Sequence, residues 1–248
     1  MDFSGQVVVV TGGSRGVGRA AVQMLAARGA LVVLGYLERH ASAAAVAAGC
    51  AGMPGEVVVQ QCDIRERSSA DALVEAALAR WGRVDALINC AGMMRYQAAE
   101  SISDIQWAEV LRTNLDGAYH TCKAALRPMM KRRYGRIVQI AALHGLAGGP
   151  MQADYSAATG GILGLTRALA REAAPWNITV NAIVPGLIDT EQLNVIPSEQ
   201  RTWGEKVIAL RRVAQPEEVA SAAVFLASSL ASYITGVTLP VDGGWRMA

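Results

Sequence analysis

Residues Thr11 to Gly18 read TGGSRGVG, and they follow the β-branched run QVVVVT (6–11) in a chain of 248 residues. The residues after Gly18 have the apolar spacing of a helix. Glycines between a strand and a helix permit a tight turn, and the unpaired N–H groups at the helix start attract phosphate. The stretch therefore predicts a nucleotide-binding turn, and a glycine-rich turn without a ligand is the alternative.

Strand-like and helix-like segments alternate along the whole chain. Nearly uninterrupted apolar strands are typical of a parallel sheet that is buried on both faces. The predicted strands are QVVVVT (6–11), LVVLGY (31–36), EVVVQQ (56–61), DALINC (85–90), GRIVQIA (135–141), NITVNAIV (177–184) and TGVTLPV (235–241). Helical spacing covers 70–81, 107–129 with a kink expected near Pro128, and the residues after Pro216. We predict one α/β domain over 1–248, doubly wound (Rossmann-type), with a seven-stranded parallel sheet and helices on both faces.

The composition argues against several classes of protein. The net charge is only +2 and the charges are mixed, which does not favour nucleic-acid binding. No apolar run approaches the roughly 18 residues of a membrane span, and the run from Val7 to Val10 is too short for a signal peptide. The four cysteines have no metal-ligand spacing. We expect a cytoplasmic protein that binds neither nucleic acid, membrane nor metal.

Candidate cofactor contacts also fall at the ends of later strands, where open α/β sheets bind ligands. In CDI (62–64), Asp63 can face an adenine amino group or cap the following helix. In NCAG (89–92), Asn89 can contact a cofactor or fasten neighbouring loops. The candidate cofactor-binding residues are Gly12, Ser14, Arg15, Gly16, Val17, Gly18, Asp63, Ile64, Asn89, Ala91 and Gly92.

Several motifs in this order resemble the short-chain dehydrogenase/reductase family, in its 3-oxoacyl reductase and hydroxyacyl dehydrogenase branch. They are TGGSRGVG, CDI, NCAG, the asparagine of RTNLDG, QADYSAA and the ending ITGVTLPVDGG, and they span nearly the whole chain. The resemblance implies a Rossmann-type fold, a nicotinamide dinucleotide, and dimers or tetramers. It also implies that the long helix with the asparagine and the helix with the tyrosine of QADYSAA pack against a second subunit.

The resemblance implies four catalytic groups, of which this chain keeps two. Asn114 and Tyr155 match the asparagine of a water relay and the tyrosine that exchanges a proton with the substrate oxygen. The lysine that lowers the tyrosine pKa is replaced by Thr159, and the serine that binds the substrate oxygen by Ala142. Since an unperturbed tyrosine has a pKa near 10, only about one in a thousand is ionised at pH 7. Tyr155 is expected to be a remnant, unless His144 substitutes as a proton carrier instead of serving as a structural group.

The resemblance also bears on the choice of cofactor. Relatives that prefer NAD carry an acid at the end of the second strand, where this chain has Tyr36, with Glu38 expected to face away. Arg15 and Arg39 suit the 2′-phosphate of NADP or are solvated surface charges. Because the absent lysine also anchors the nicotinamide ribose, we predict weak or absent binding of both NAD and NADP at an ancestral site.

Residues 190–212 fit the family's substrate-covering loop and helix. Their apolar side chains are expected either to line a pocket or to lie in the core or an interface; they are Leu193, Val195, Ile196 and Trp203. Arg211 and Arg212 can meet a CoA phosphate or remain a solvated pair. On the Tyr155 helix, three glycines permit close packing, either with another subunit or within the chain; they are Gly160, Gly161 and Gly164.

Three functions follow as hypotheses. The first is a non-catalytic subunit of a hetero-oligomeric NAD(P)-dependent dehydrogenase for a hydroxyacyl-CoA-type alcohol, paired with an active sibling subunit, as a heterotetramer. The second is an active but atypical NAD(P)-dependent oxidoreductase that uses Tyr155 with Asn114 and water or His144. The third is a nucleotide-sensing or scaffold protein.

Overall fold

Seven parallel strands form one sheet in the computed structural model of the chain, which describes residues 1–247. The strand order is β3-β2-β1-β4-β5-β6-β7. The bounds are β1 Val7–Thr11, β2 Leu31–Tyr36, β3 Glu56–Gln61, β4 Ala86–Asn89, β5 Gly135–Ile140, β6 Ile178–Pro185 and β7 Thr238–Val241. The order reverses between β1 and β4, and ligands bind at such a reversal in open α/β sheets. The predicted sheet is confirmed.

Helices cover both faces of this sheet. Their bounds are α1 Gly16–Ala26, α2 His40–Gly49, α3 Arg67–Trp81, α4 Asp104–Leu111, α5 Gly117–Arg132, α6 His144–Ala147, α7 Ala153–Ala173, α8 Ser198–Val207 and α9 Pro216–Ala227. Val7 and Val9 of β1 pack with α3, α5 and α7, whereas Val8 and Val10 pack with α1, α2 and α9. Because successive side chains of a strand point to opposite faces, burial on both faces requires continuous apolar runs. The chain is a single Rossmann-like α/β domain.

The long helical stripe from 107 to 129 is interrupted at a position that we did not predict from the sequence. Hydrogen bonding changes to the π pattern at Arg112–Asp116, between α4 and α5, and α5 continues through Pro128. Asn114 lies in this π segment, and its side-chain amide donates to the carbonyl oxygens of Val110 (2.9 Å) and Met93 (2.8 Å). The predicted kink near Pro128 concerns the helix axis and stays a prediction, since α5 is continuous there. The side chain of Asn114, which binds outside its own helix, accompanies the change in hydrogen bonding.

Two of the three glycines on α7 serve packing within the chain. A methyl group at Gly161 would lie 2.8 Å from the side chain of Leu115, and one at Gly145 would lie 2.7 Å from the backbone nitrogen of Gly160. Gly164 is exposed and has open space around it. Gly164 is therefore the position that intrachain packing does not explain.

The length and polarity of the helices show whether any of them could cross a membrane. Within residues 1–247, none of the helices combines the length and the apolar character that crossing a membrane would require.

Candidate functional site

A cavity of about 430 Å³ opens at the carboxyl ends of the central strands, where the strand order reverses. It extends from the glycine loop to Tyr155 and Thr159 on α7. The cavity is lined by all the candidate cofactor-binding residues except Asn89, namely Gly12, Ser14, Arg15, Gly16, Val17, Gly18, Asp63, Ile64, Ala91 and Gly92. The fold therefore brings the motifs at positions 11–18, 62–64 and 89–92 to one open site.

The glycine loop has the shape that a phosphate requires. Gly12 and Gly16 have positive φ angles of 66° and 51°, a conformation that L side chains rarely adopt. A methyl group at Gly18 would lie 2.3 Å from the carbonyl oxygen of Gly12. Helix α1 begins directly after Arg15, with no side-chain cap and no acid in its first turn. Its first N–H groups are therefore open to an anion from the cavity.

Asn89 is buried outside the cavity lining and joins three elements. Its Oδ1 accepts hydrogen bonds from Thr121 Oγ1 (2.9 Å) and Thr11 Oγ1 (3.4 Å), and its Nδ2 donates to Gln139 Oε1 at 3.0 Å. Thr11 in turn accepts a hydrogen bond from the backbone of Ala91 at 3.1 Å. Of its two predicted roles, Asn89 therefore takes the fastening one in this structure.

The carboxylate of Asp63 is already paired. Both its oxygens bind the Arg65 guanidinium, at 2.9 Å from Nε to Oδ1 and 2.6 Å from Nη2 to Oδ2. This hydrogen bonding by Arg65 lowers the pKa of Asp63. The predicted helix-capping role is wrong, because Asp63 accepts from the backbone N–H of Arg65 and the residue that precedes α3 is Glu66. An adenine would meet an ion pair here.

The end of β2 and the turn after it line one side of the cavity. The hydroxyl of Tyr36 hydrogen-bonds His40 Nδ1 at 2.7 Å. Glu38 lines the cavity, so the expectation that it faces away is wrong. The expectation assumed that the strand continues past Tyr36, so that side chains keep alternating between the two faces. The strand ends at Tyr36, and the turn that follows brings Glu38 to the cavity.

Sequence reasoning missed Glu191, which lies at the same edge. Its Oε2 is 3.0 Å from Arg15 Nη1 and 2.7 Å from Arg39 Nη1. The two arginines therefore share one carboxylate, and each remains about half exposed. The available signal was the position of Glu191 shortly after β6, because the chain leaves β6 at the carboxyl edge of the sheet.

Tyr155 and its two altered partners meet at the inner end of the cavity. Thr159, one turn after Tyr155, is buried, and its hydroxyl donates to the Tyr155 carbonyl oxygen at 2.7 Å. The Thr159 hydroxyl thus binds a carbonyl oxygen of its own helix. Ala142, just after β5, is also buried and offers no hydrogen-bonding side chain.

The environment of the Tyr155 phenol disfavours its ionised form. Tyr155 keeps part of its surface toward the cavity, but burial raises the pKa of Tyr155 from 10.0 to about 12. This change corresponds to about 2.7 kcal/mol against ionisation, and roughly one phenol in 100,000 is ionised at pH 7. Within residues 1–247, no neighbouring charge offsets the effect of burial. A tyrosine that exchanges protons near neutral pH needs a lowered pKa instead.

His144 does not replace the missing cation. Its ring centroid is 6.1 Å from that of Tyr155, and burial lowers the pKa of His144. The imidazole is therefore neutral at pH 7 and contributes no positive charge to the phenol.

Asn114 uses its side chain to hold the loop after β4. Its Oδ1 accepts from the backbone N–H of Met93 at 3.0 Å, and its Nδ2 donates to the carbonyl oxygens of Met93 and Val110. Both donors of the amide are thus bound to backbone, and Oδ1 has one lone pair left to accept a hydrogen bond from water.

The cover segment, residues 190–212, touches the cavity only at its start. Thr190, Glu191 and Gln192 line the cavity, and Gln192 Nε2 donates to the carbonyl oxygen of Gly92 at 3.2 Å. The apolar residues of the segment lie elsewhere: Ile196 is buried, Leu193 packs on it, Val195 is exposed and Trp203 contacts Trp245 edge-on. The alternative of core packing therefore describes Ile196 and Leu193.

The two arginines at the end of this segment have partners within the chain. The Arg212 guanidinium binds the Glu218 carboxylate with two hydrogen bonds of 2.7 Å, and Arg211 donates to the carbonyl oxygen of Lys206. Neither arginine is therefore only solvated, since each donates to an acceptor within the protein.

The arrangement of the described side chains shows whether several of them could bind a metal ion together. Residues 1–247 bring together no group of three His, Cys, Asp or Glu side chains that could hold an ion.

Comparisons with known proteins agree with this geometry. The family model described as Enoyl-(Acyl carrier protein) reductase matches residues 12–246. The chain is 38% identical over 247 residues to the 3-oxoacyl-[acyl-carrier-protein] reductase FabG of Escherichia coli (strain K12), covering 100% of both proteins. It is also 38% identical over 239 residues to the reductase of the same name from Chlamydia muridarum, covering 96% of each. With the sheet order and the glycine loop described above, these matches show that the chain belongs to the short-chain dehydrogenase/reductase family.

Proposed function

We propose that this chain is a non-catalytic subunit of a hetero-oligomeric NAD(P)-dependent dehydrogenase, and that an active sibling subunit of the same fold carries out the chemistry. The observation that carries this proposal is the environment of Tyr155. Burial raises the pKa of its phenol to about 12, while Thr159 and Ala142 stand where the family resemblance implies a lysine and a serine.

The missing groups are worth large factors in rate. One lost hydrogen-bond donor to a developing oxyanion costs about 100- to 1,000-fold. Impaired acid–base catalysis costs about 100- to 10,000-fold. The two losses need not multiply, because both groups act on the same oxygen. Either loss alone leaves a poor catalyst.

The cavity supports partial retention of the cofactor site. A bound nicotinamide dinucleotide would supply or accept a hydride. In this chain, the glycine loop and the start of α1 would hold its pyrophosphate. At the nicotinamide end, Thr159 offers no charge and its hydroxyl is bound to the Tyr155 carbonyl oxygen. We therefore expect weak or absent binding of either NAD or NADP.

A surface that would suit a sibling subunit lies on the outer side of α4, α5 and α7. Large apolar side chains are exposed there, including Ile105 at 81%, Trp107 at 40% and Tyr119 at 42%. Between α5 and α7, Tyr119 and Met130 border a groove of about 340 Å³. Gly164 adds a position on α7 where a neighbouring helix can approach closely. Exposed apolar residues on adjacent helices support an interface with another subunit.

The substrate class follows from the resemblance and from the names of the relatives. The reductases that match the chain are named for a 3-oxoacyl group on acyl carrier protein. A hydroxyacyl-CoA-type alcohol is the reduced form of a similar acyl thioester. Within that class, we propose the inactive subunit of 2-(hydroxyphenylmethyl)succinyl-CoA dehydrogenase, from anaerobic toluene degradation, as the functional counterpart of this chain.

Native mass spectrometry of the tagged chain, isolated from its source cells, tests the subunit assignment. We expect a heterotetramer whose second chain carries serine and lysine at the positions of Ala142 and Thr159. The same chain expressed alone serves as the control for non-specific association. A homogeneous, stable homo-oligomer from the source cells would exclude the proposal.

An active but atypical reductase is the second candidate. It is favoured by the full-length identity of 38% to 3-oxoacyl reductases and by the open cavity that Tyr155 lines. A neutral phenol can donate a proton to a carbonyl oxygen even without a cation, though slowly. Turnover of a 3-oxoacyl thioester with NADPH that is lost in Tyr155→Phe would support this candidate over the first.

A further inference from the structure

Two arginines from separate elements converge on one oxygen at the mouth of the cavity. Arg15 precedes α1 in the glycine loop, and Arg39 lies in the turn between β2 and α2. The Nη1 atoms of both contact Glu191 Oε2, at 3.0 Å from Arg15 and 2.7 Å from Arg39. Glu191 starts the short 3₁₀ turn Glu191–Val195 in the cover segment. All three residues line the cavity.

The cover segment rests on the glycine loop at the same place. A methyl group built on Gly16 would lie 3.3 Å from Thr190 Cγ2, so Thr190 contacts the phosphate turn directly. The ion pairs of Glu191 thus tie the segment to the cavity edge beside the turn. Each pair is about half exposed, and such pairs are individually weak, so the tie is reversible.

Convergent guanidinium groups form a binding site for an anion. Arginine donors match the geometry of phosphate and carboxylate oxygens equally well. In dinucleotide-binding sheets, an arginine near the end of the second strand accommodates the 2′-phosphate of NADP-type nucleotides. Arg39 occupies that place, three residues after the last residue of β2. In this chain, the oxygen atom that both arginines contact is Oε2 of Glu191 and not an oxygen of a ligand.

We infer that Glu191 is an internal competitor for a 2′-phosphate: its carboxylate occupies the anion site of Arg15 and Arg39 and weakens the binding of nucleotides that carry this group. Phosphate and carboxylate require the same guanidinium donors, and their charges repel each other. A 2′-phosphorylated nucleotide therefore binds only when the Glu191 carboxylate leaves. This inference does not depend on whether Tyr155 is catalytic, so its failure would leave the subunit proposal unaffected.

Calorimetric titration with 2′,5′-ADP and 5′-AMP at low salt tests this competition. The two probes differ only in the 2′-phosphate. Glu191→Gln is the test variant, and Glu199→Gln is the matched control, because Glu199 is exposed on α8 and forms no ion pair among the described residues. We expect Glu191→Gln to bind 2′,5′-ADP about 5- to 10-fold more tightly than the parent chain, with 5′-AMP changed by less than about twofold.

A second variant confirms that the arginines are the donors. Adding Arg39→Ala to Glu191→Gln should remove the gain for 2′,5′-ADP. An equal gain in Glu199→Gln, an equal gain for 5′-AMP, or a gain that survives the loss of Arg39 would each overturn the inference. The absence of any gain in Glu191→Gln, including undetectable binding by both proteins, would overturn it as well.

Discussion

Replacing Thr159 with lysine should lower the pKa of Tyr155. Thr159 lies one helical turn after Tyr155 on α7, and both residues line the same cavity of about 430 Å³. A lysine side chain at this position can leave the buried backbone and extend into the cavity. Its ammonium would then lie near the phenol, in a region that water screens poorly.

The expected size of the effect follows from the burial of the phenol. Burial raises the pKa of Tyr155 to about 12. An opposite charge within about 4–6 Å lowers a pKa by roughly 1 to 3. The pKa in Thr159→Lys should therefore fall to about 9–11, which corresponds to about 1.4–4 kcal/mol in favour of the phenolate.

Tyrosinate absorbance, followed as a function of pH, measures this pKa. The chain has six tyrosines, so the signal of Tyr155 is the difference between Thr159→Lys and Thr159→Lys with Tyr155→Phe. Thr159→Met is the matched control, with a long side chain and no charge, and should leave the pKa near 12. A folded Thr159→Lys protein with the same titration as the methionine variant would refute the reasoning.

Three further substitutions test the fold and its electrostatics. In Gly18→Ala, the new methyl group would lie 2.3 Å from the Gly12 carbonyl oxygen, so we expect a loss of about 1–3 kcal/mol in urea unfolding. Asp85 is buried and accepts hydrogen bonds from the Val7 backbone (2.8 Å) and an arginine (2.6 Å); Asp85→Asn should cost about 1–3 kcal/mol in the same assay. The hydrogen bond from Arg212 lowers the pKa of Glu218 from 4.5 to about 2. The stabilisation that this ion pair gives is fully present above pH 4.5 and is lost as the pH falls through about 2. Glu218→Gln should therefore make Tm depend less on pH between about 4.5 and 2.

The sequence was sufficient for the inner strands of the sheet because they are buried on both faces. Such strands must be continuous apolar runs, and LVVLGY (31–36) has the same bounds in the structure as in the prediction. The edge strand EVVVQQ (56–61) is only half-buried, but its bounds also match the prediction. The glycine loop was equally predictable, since only glycine fits the positive φ angles and the close contact of Gly18 with Gly12. The family resemblance, applied position by position from Tyr155, also located Ala142 and Thr159.

The remaining features depend on contacts between residues that are distant in sequence. The π segment at Asn114 accompanies hydrogen bonds to Met93, which belongs to the loop after another strand. The ion pair between Arg15 and Glu191 joins residues 176 positions apart, and no local sequence pattern predicts such a pair. The pKa of Tyr155 depends on what surrounds the phenol, so the sequence could indicate a missing cation but not the additional effect of burial.

The steady-state rate of the purified chain alone, with NADPH or NADH and a 3-oxoacyl thioester, tests whether Tyr155 can transfer protons. The Escherichia coli reductase serves as the reference under the same conditions. We predict a rate at least about 100-fold below the reference. A rate within about tenfold of the reference that disappears in Tyr155→Phe would contradict a non-catalytic subunit.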